Sequence, residues 1–309
     1  MLSILIPVRN YDASTLVESF RSLALSEGVD VEIIVADDAS TSLQPWLDHL
    51  EAANSTSTSS VVGSSSANIH ILRSSTNLGR ARNINRLADA AHSEWLLIVD
   101  CDAAIPSDFS LRRYLEAAIS SASVEGHPVV CGGLLHPDVN PCPEATLRYT
   151  YERAADLYRS ADHRNRAPYA QLSTFSILIR RDIFLNVGFD EECTDYGYED
   201  TLFGAELQRR NIPILHIDNP LLHLGLEPND IYLSKTETAL QTLHRLAPRL
   251  ENHSHLLAVV GRLSQLHLTT PVRLLYRLLR PLLRRNLLSS HPNLKVFAFY
   301  KLGYYLSLF

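Results

Sequence analysis

Glycine is scarce, with 12 in 309 residues, and the chain has one methionine, two tryptophans and four cysteines. So little glycine, with no fixed period, excludes collagen-like and glycine-rich architectures. Cys101, Cys131, Cys142 and Cys193 stand far apart, with neither a CxxC pair nor zinc-ligand spacing. A disulfide framework is therefore not expected, and a reducing compartment is. No stretch approaches the roughly 18 consecutive apolar residues of a spanning helix. The opening MLSILIPVRN is too short an apolar run for a secretory signal and lacks a basic leader. Neither a Gly-Lys-Ser/Thr loop nor a GxGxxG spacing is present, which removes the P-loop and dinucleotide fingerprints. These absences point to a cytoplasmic protein, or one peripheral on the inner face of a membrane.

What is present is ordinary for a folded chain: 46% hydrophobic and 20% charged residues, over a length that buries a substantial core. Charge is unevenly placed. Residues 243–309 hold ten Lys/Arg and one Asp/Glu, a balance of +9, whereas the whole chain is −6. The acidic body, residues 1–242, argues against nucleic acid as a partner. A basic tail on an acidic body implies two surfaces with different partners.

Apolar runs close on charged residues again and again. Residues 2–8 read as a buried strand ended by Arg9, and residues 31–36 as a second ended by Asp37-Asp38. Residues 69–72 and 95–99 read as further strands, the last ending on Asp100. Helical spacing separates them over 14–26, with Ser14 as the expected N-cap, and over 78–91. The polar segment 54–66 reads as a surface insertion. Farther on, strands are expected at 129–135 and 175–179, and helices over 145–161 and 198–210. From Leu233 the pattern is helical, with Pro248, Pro271 and Pro281 as breaks or kinks. The fold class is α/β: a mostly parallel, doubly wound central sheet flanked by helices, with a C-terminal helical extension. In such sheets ligands bind beyond the carboxyl ends of the strands, where Arg9, Asp37, Asp38, Asp100 and Asp102 all fall.

Four clusters carry candidate chemistry. In Asp100-Cys101-Asp102, residues two apart can face one side, so both carboxylates can meet one hard divalent cation, Mg²⁺ or Mn²⁺, shared with substrate phosphates. The plainer reading is a solvated turn. Asp38 can accept a base N–H or a ribose hydroxyl, or simply form an Asx-turn. Asn77-Leu78-Gly79-Arg80-Ala81-Arg82-Asn83 sets two arginines at a helix start, suited to nucleotide phosphate or base, or else to solvent. Tyr196-Gly197-Tyr198-Glu199-Asp200 opens a helix with an acidic pair that either caps it or supplies a general base, beside aromatics suited to a sugar face. His223 and His216 end apolar stretches and read first as structural histidines.

Taken in order, ILIPVRN, EIIVADDAS, NLGRARN, LLIVDCDA, LIRRDIFLNVGFDE and the YGYED box resemble the inverting, GT-A-fold glycosyltransferases of family 2. The resemblance covers about residues 1–228 and implies a nucleotide-sugar part at about 1–103 and an acceptor and catalytic part at about 104–228. Residues 229–309 are expected to form a basic, mainly helical C-terminal region. By the resemblance, Pro7 and Arg9 line the nucleoside pocket, Asp38 meets the base, and Arg80 or Arg82 helps to hold the nucleotide. Asp100 serves ribose or metal, Asp102 ligates the divalent ion, and His223 becomes a third metal ligand. Asp200 is the implied base and Glu199 binds hydroxyls. The implied donor is a nucleotide sugar, UDP-linked by preference, and the implied acceptor is a glycan or lipid-linked glycan of polysaccharide biosynthesis. Tyrosines flank Gly197 where such enzymes often have tryptophan, which leaves acceptor preference open.

Two other functions fit parts of the pattern. A non-catalytic sugar-nucleotide or glycan-binding module would share the fold but tend to lose Asp102 or Asp200. A nucleotidyltransferase would carry a glycine-rich loop after the first strand, where VRNYDAS has none. In the tail, Arg273, Arg277, Arg280 and Arg284 fall within about a 60° stripe of one helix, with leucines filling the remainder. Such a helix either lies on an anionic membrane surface or caps the body with its leucines inward.

Overall fold

A computed structural model describes residues 1–41, 45–56, 67–122, 126–193 and 196–309. Its first half runs β1 (Leu2–Val8), α1 (Ser14–Glu27), β2 (Val31–Asp37), α2 (Pro45–Thr56), β3 (Ala67–Arg73), α3 (Arg80–Ala90), β4 (Trp95–Val99), β5 (Ala103–Ala104) and α4 (Leu111–Ser120). There follow β6 (Val129–Cys131), β7 (Leu134–Leu135), α5 (Thr146–Asp156), α6 (Ala161–Arg164), β8 (Ser176–Arg180), α7 (Arg181–Val187), α8 (Glu199–Arg209), β9 (Ile214–His216) and β10 (Leu221–His223). The tail holds α9 (Asn229–Leu250), α10 (His255–Gln265), α11 (Thr269–Leu287) and α12 (Leu294–Leu306).

The seven-stranded sheet has the order β3-β2-β1-β4-β8-β6-β9. It is parallel except where β8 pairs antiparallel with β4 and β6. Period-two alternation sorts β1 between two cores. Leu2, Ile4, Ile6 and Val8 pack with Phe20 and Phe109 on one face, and Leu5 packs with Ile84 and Leu87 on the other. β4 divides likewise, Leu97 and Val99 to the first face and Leu96 and Ile98 to the second. Because both faces are covered, these strands read as unbroken apolar runs.

Several expectations needed correction. Ser14 is the first helical residue of α1; Ala13 holds the cap position and Asp12 accepts the Ser14 N–H at 2.9 Å. The strand expected over 129–135 breaks at Gly132-Gly133, and its halves join different sheets. A Cβ at Gly132 would stand 1.9 Å from the Tyr114 hydroxyl, and Gly133 has φ +93°, so the chain turns there. The helix expected over 145–161 stops at Asp156 and resumes at Ala161, capped by Ser160. Pro248 and Pro281 lie inside α9 and α11 and do not end them. Pro281 is exposed, as is Arg277 four residues earlier, whose carbonyl a proline at 281 leaves without its helical partner. The 54–66 segment begins in the last turn of α2 and otherwise lies outside the described residues.

The tail helices pack on the body. Leu240, Leu243, Leu246 and Leu250 of α9 meet Leu202 of α8 and Tyr305 of α12. Leu147 of α5 shares a cluster with Tyr276, Leu287, Phe297 and Tyr300 of α11 and α12.

Near the amino end of β2, buried Glu32 accepts from Ser3 Oγ and from the backbone N–H groups of His92 (2.6 Å) and Ser93 (3.0 Å). Burial alone would raise its carboxyl, but these bonds outweigh it and bring the pKa down from 4.5 to about 2. A depression of that size corresponds to about 3 kcal/mol of stability, present above the unfolded value and lost as pH falls toward 2. Glu32→Gln is therefore expected to lower the urea midpoint most at neutral pH, with the gap to wild type closing between pH 4.5 and 2. A gap independent of pH would contradict this.

Candidate active site

The site is assembled at the carboxyl edge of the sheet. Asp38, just past β2, accepts the backbone N–H groups of Leu78 (2.6 Å) and Gly79 (2.9 Å). That pair of bonds ties the arginine loop to the sheet and presents Arg80 as the first residue of α3. The Arg80 guanidinium reaches Asp100 Oδ1 through Nη2 at 2.7 Å and through Nε at 3.2 Å. It also reaches Asp200 Oδ1 at 3.2 Å and Thr174 Oγ1 at 3.0 Å, and lies 3.8 Å from Glu199. One arginine thus gathers three carboxylates brought from β4 and the start of α8. Burial pulls the Arg80 pKa down, but Asp100, Asp200 and Glu199 together raise it above its usual value.

Asp200 is fixed from a second side. Thr174 donates its hydroxyl to Oδ1 and its backbone N–H to Oδ2, the latter at 3.1 Å. Beside it, Glu199 Oε2 is buried with no hydrogen-bond partner. Burial, followed by the negative charge of Asp200, raises the Glu199 pKa, and Arg80 opposes that rise. Tyr198, ahead of the acidic pair, takes a left-handed φ of 70°. A non-glycine residue in that region carries strain of about 1–3 kcal/mol, of the sort that gathers where a site over-determines its backbone.

Asp100 and Asp102 part company. Burial lifts the Asp100 pKa to about 6 against the pull of Arg80, with Asp102 adding to the rise. Asp102 turns instead to His223, with Oδ2 3.1 Å from Nε2. Burial would raise Asp102 as well, but His223 and then Arg148 bring it below the usual carboxylate value. Topology makes this pairing: β10 runs antiparallel to β5 with His223 opposite Ala103, next to Asp102. Gly225 completes the seat, since a Cβ there would stand 1.9 Å from Asp102 Oδ2.

Behind His223 lies a polar chain. His136 Nε2 is 3.1 Å from His223 Nδ1, and His136 Nδ1 is 3.1 Å from Asp156 Oδ1. With Asp156 accepting from His136 Nδ1–H, His136 Nε2 accepts from His223 Nδ1–H. His223 Nε2 is the ring nitrogen that faces Asp102. Arg148 lies 3.4 Å from that same Nε2 and donates to Gly225 O and Glu227.

Two cavities meet at Asp100. One of about 370 Å³ is lined by Pro7, Arg9, Asp38, Arg80, Asp102 and Tyr196. The other, of about 550 Å³, is lined by Arg148, Tyr151, Glu152, Gln171, Phe175 and His223. Of the residues expected in the site, Arg82 and Asp200 line neither cavity; Asp200 is held against Arg80 and Thr174, whereas Arg82 pairs with Glu191 at 3.4 Å. His216 is structural: its Nε2 accompanies Pro168 O, and burial lowers its pKa to about 4. Thr174, His136, Asp156 and Arg148 went unnoticed in the sequence, since none stands in a recognisable motif and each reaches the site through tertiary contacts. Among the described residues, no three His, Cys, Asp or Glu side chains converge as a ready-made metal cage.

Comparison with known families decides what this edge of the sheet belongs to. The family model for glycosyl transferase family 2 matches residues 3–184, more than half of the chain. The chain belongs to glycosyl transferase family 2. The enzyme class of that family is glycosyltransferase. Among solved structures, the mannosyltransferase PcManGT from Pyrobaculum calidifontis, in complex with GDP-Man and Mn²⁺, aligns at 14% identity and a TM-score of 0.56. That alignment covers 99% of this chain and 84% of the mannosyltransferase. It shows a shared GT-A fold. S. aureus TarS aligns at 18% identity and a TM-score of 0.49, over 79% of this chain. This glycosyltransferase-family chain spans 43% of the full TarS chain. A TarS fragment, residues 1–349, in complex with UDP aligns at 17% identity and a TM-score of 0.48, over 98% of this chain and 89% of that one. No curated protein matches the sequence.

Proposed function

We propose that this protein is a metal-dependent inverting glycosyltransferase acting in polysaccharide biosynthesis. It moves a sugar from a UDP-linked donor to a hydroxyl of a glycan or lipid-linked acceptor, at or near the inner face of a membrane. The observation that carries this reading is the convergence on Arg80 of Asp100, Asp200 and Glu199, beside the Asp102–His223 pair and between two cavities. Family membership and the fold shared with a GDP-Man- and Mn²⁺-bound mannosyltransferase support the donor class.

The residues fit a divalent ion shared with a diphosphate. Four carboxylates (Asp100, Asp102, Glu199 and Asp200) face two nearby arginines, Arg80 and Arg148, which leaves an excess of negative charge. Asp102 and His223 would hold the ion, with Asp100 close by, and phosphate oxygens and water would complete its shell. When bound, it neutralises charge on the departing diphosphate.

The chain's own groups supply the remainder. Pro7, Arg9 and Asp38 line the first cavity, where the nucleoside sits. The acceptor enters from the second. Asp200, held by Thr174 and Arg80, takes the proton of the acceptor hydroxyl as its oxygen bonds to the anomeric carbon. The bond to the nucleoside diphosphate breaks on the opposite face, so the configuration inverts. Glu199 Oε2, buried and unpartnered, is placed to accept a sugar hydroxyl. Holding both reactants in this geometry, together with the proton transfer, supplies much of the rate.

Incubation with UDP- and GDP-sugars and Mn²⁺ tests this reading, with release of nucleoside diphosphate and the anomeric proton of the product followed by NMR. Release from a UDP-sugar with inverted configuration is expected. If no nucleotide sugar is turned over and none raises the melting temperature, the protein is a module of another kind.

A further inference from the structure

Helix α11 turns its leucines outward. Of its four-arginine stripe, three members turn toward the rest of the tail: Arg273 donates to Phe309 O at 3.1 Å, Arg284 to Glu237 at 3.0 Å, and Arg280 lies 3.9 Å from Glu237. Tyr276 and Leu287 are the buried side of the helix. On the other side Leu274, Leu275, Leu278 and Leu282 are 57%, 47%, 76% and 64% exposed. At about 100° per residue these four occupy about a 100° arc, with Arg285 inside it and Arg277 about 60° beyond its edge. Leu266 and Leu268, in the turn leading into the helix, are exposed as well. A contiguous apolar face of this kind on a folded protein marks an interaction surface.

We propose that this face of α11 docks on an anionic lipid surface. Leu274, Leu278 and Leu282 enter the boundary between headgroups and acyl chains, and Arg277 and Arg285 meet lipid phosphates. Charge selects this occupant over a second copy of the chain. Residues 252–309 contain eight Lys/Arg and no Asp/Glu, so two such faces brought together would oppose like charges with no carboxylate to pair them. Among the described residues no helix is long and apolar enough to cross a membrane, so the helix lies on the surface. The docking stands independently of glycosyl transfer. If the proposed reaction is also right, it holds the two cavities near a lipid-linked acceptor.

Vesicle flotation of the full chain, without nucleotide or acceptor, tests it. The protein is expected to float with phosphatidylcholine–phosphatidylglycerol vesicles, and only weakly with phosphatidylcholine alone. Leu274→Ser/Leu278→Ser/Leu282→Ser should lower the vesicle-bound fraction at least about tenfold with an unchanged melting temperature, because these side chains contribute little to the fold. Arg277→Gln/Arg285→Gln should weaken the preference for the anionic lipid and its sensitivity to salt. Failure of the wild type to float with either vesicle overturns the proposal, as does flotation unaffected by the leucine changes. Concentration-dependent dimers that disappear in the leucine variant, with no vesicle binding, would reassign the face to a second copy. Because no turnover is read, failure here leaves the catalytic reading standing.

Discussion

Asp200→Asn is expected to lower kcat by about 10²–10⁴-fold, the usual contribution of a positioned general base, while nucleotide binding is retained. Asparagine keeps the volume, and its carbonyl can still accept from the Thr174 hydroxyl or backbone N–H. What it loses is the charge and the basicity needed to receive an acceptor proton. The split between kcat and binding is the informative part. A loss of both would mean that Asp200 mainly holds Arg80 in place for the donor. Retained turnover would remove Asp200 from the role of base.

Arg80→Ala is expected to cost about 3–5 kcal/mol of folding stability, as removal of one partner from a largely buried ion cluster does. The reason is arithmetic of charge. Asp100, Asp200 and Glu199 all lie within 4 Å of this guanidinium, whose side chain is 26% exposed. Without it three enclosed carboxylates face one another, and protonation of at least one becomes the cheapest relief. The destabilisation should therefore shrink as pH is lowered from 8 toward 5, because Asp100, already raised to about 6, takes up a proton first. Urea melts of both proteins at several pH values check this. Equal stability at neutral pH would mean that water compensates the cluster, and that Arg80 matters for the donor alone. Arg80→Lys should recover only part of the loss, since an ammonium cannot span Asp100, Thr174 and Asp200 together.

The sheet was legible because β1, β2 and β4 are covered on both faces and so appear as uninterrupted apolar runs ending on charged residues. The position of the site followed, since Arg9, Asp38, Asp100 and Asp102 had to lie at one edge of that sheet. How the carboxylates divide was not legible. Asp100 and Asp102 stand two residues apart, yet one turns to Arg80 and the other to His223. That division depends on a three-stranded sheet of two- and three-residue strands, β5-β10-β7, too short to leave a period in the sequence. The same small sheet places His136 behind His223, and no motif announces it. Thr174 escaped notice for a similar reason, as its partners Arg80 and Asp200 lie 94 and 26 residues away. In the tail, periodicity found the arginine stripe but not its direction. Carboxylate Glu237 on α9 turns Arg280 and Arg284 inward, and the leucines consequently face out.

The central claim is that Asp102 and His223 hold a divalent ion against the diphosphate of a nucleotide. Thermal shift with UDP and GDP, with and without Mn²⁺, in wild type and in Asp102→Ala tests it most directly. Stabilisation of the wild type by a nucleotide only when Mn²⁺ is present, and its disappearance in Asp102→Ala, is the predicted result. An Mn²⁺-dependent shift of equal size in the variant would contradict the account.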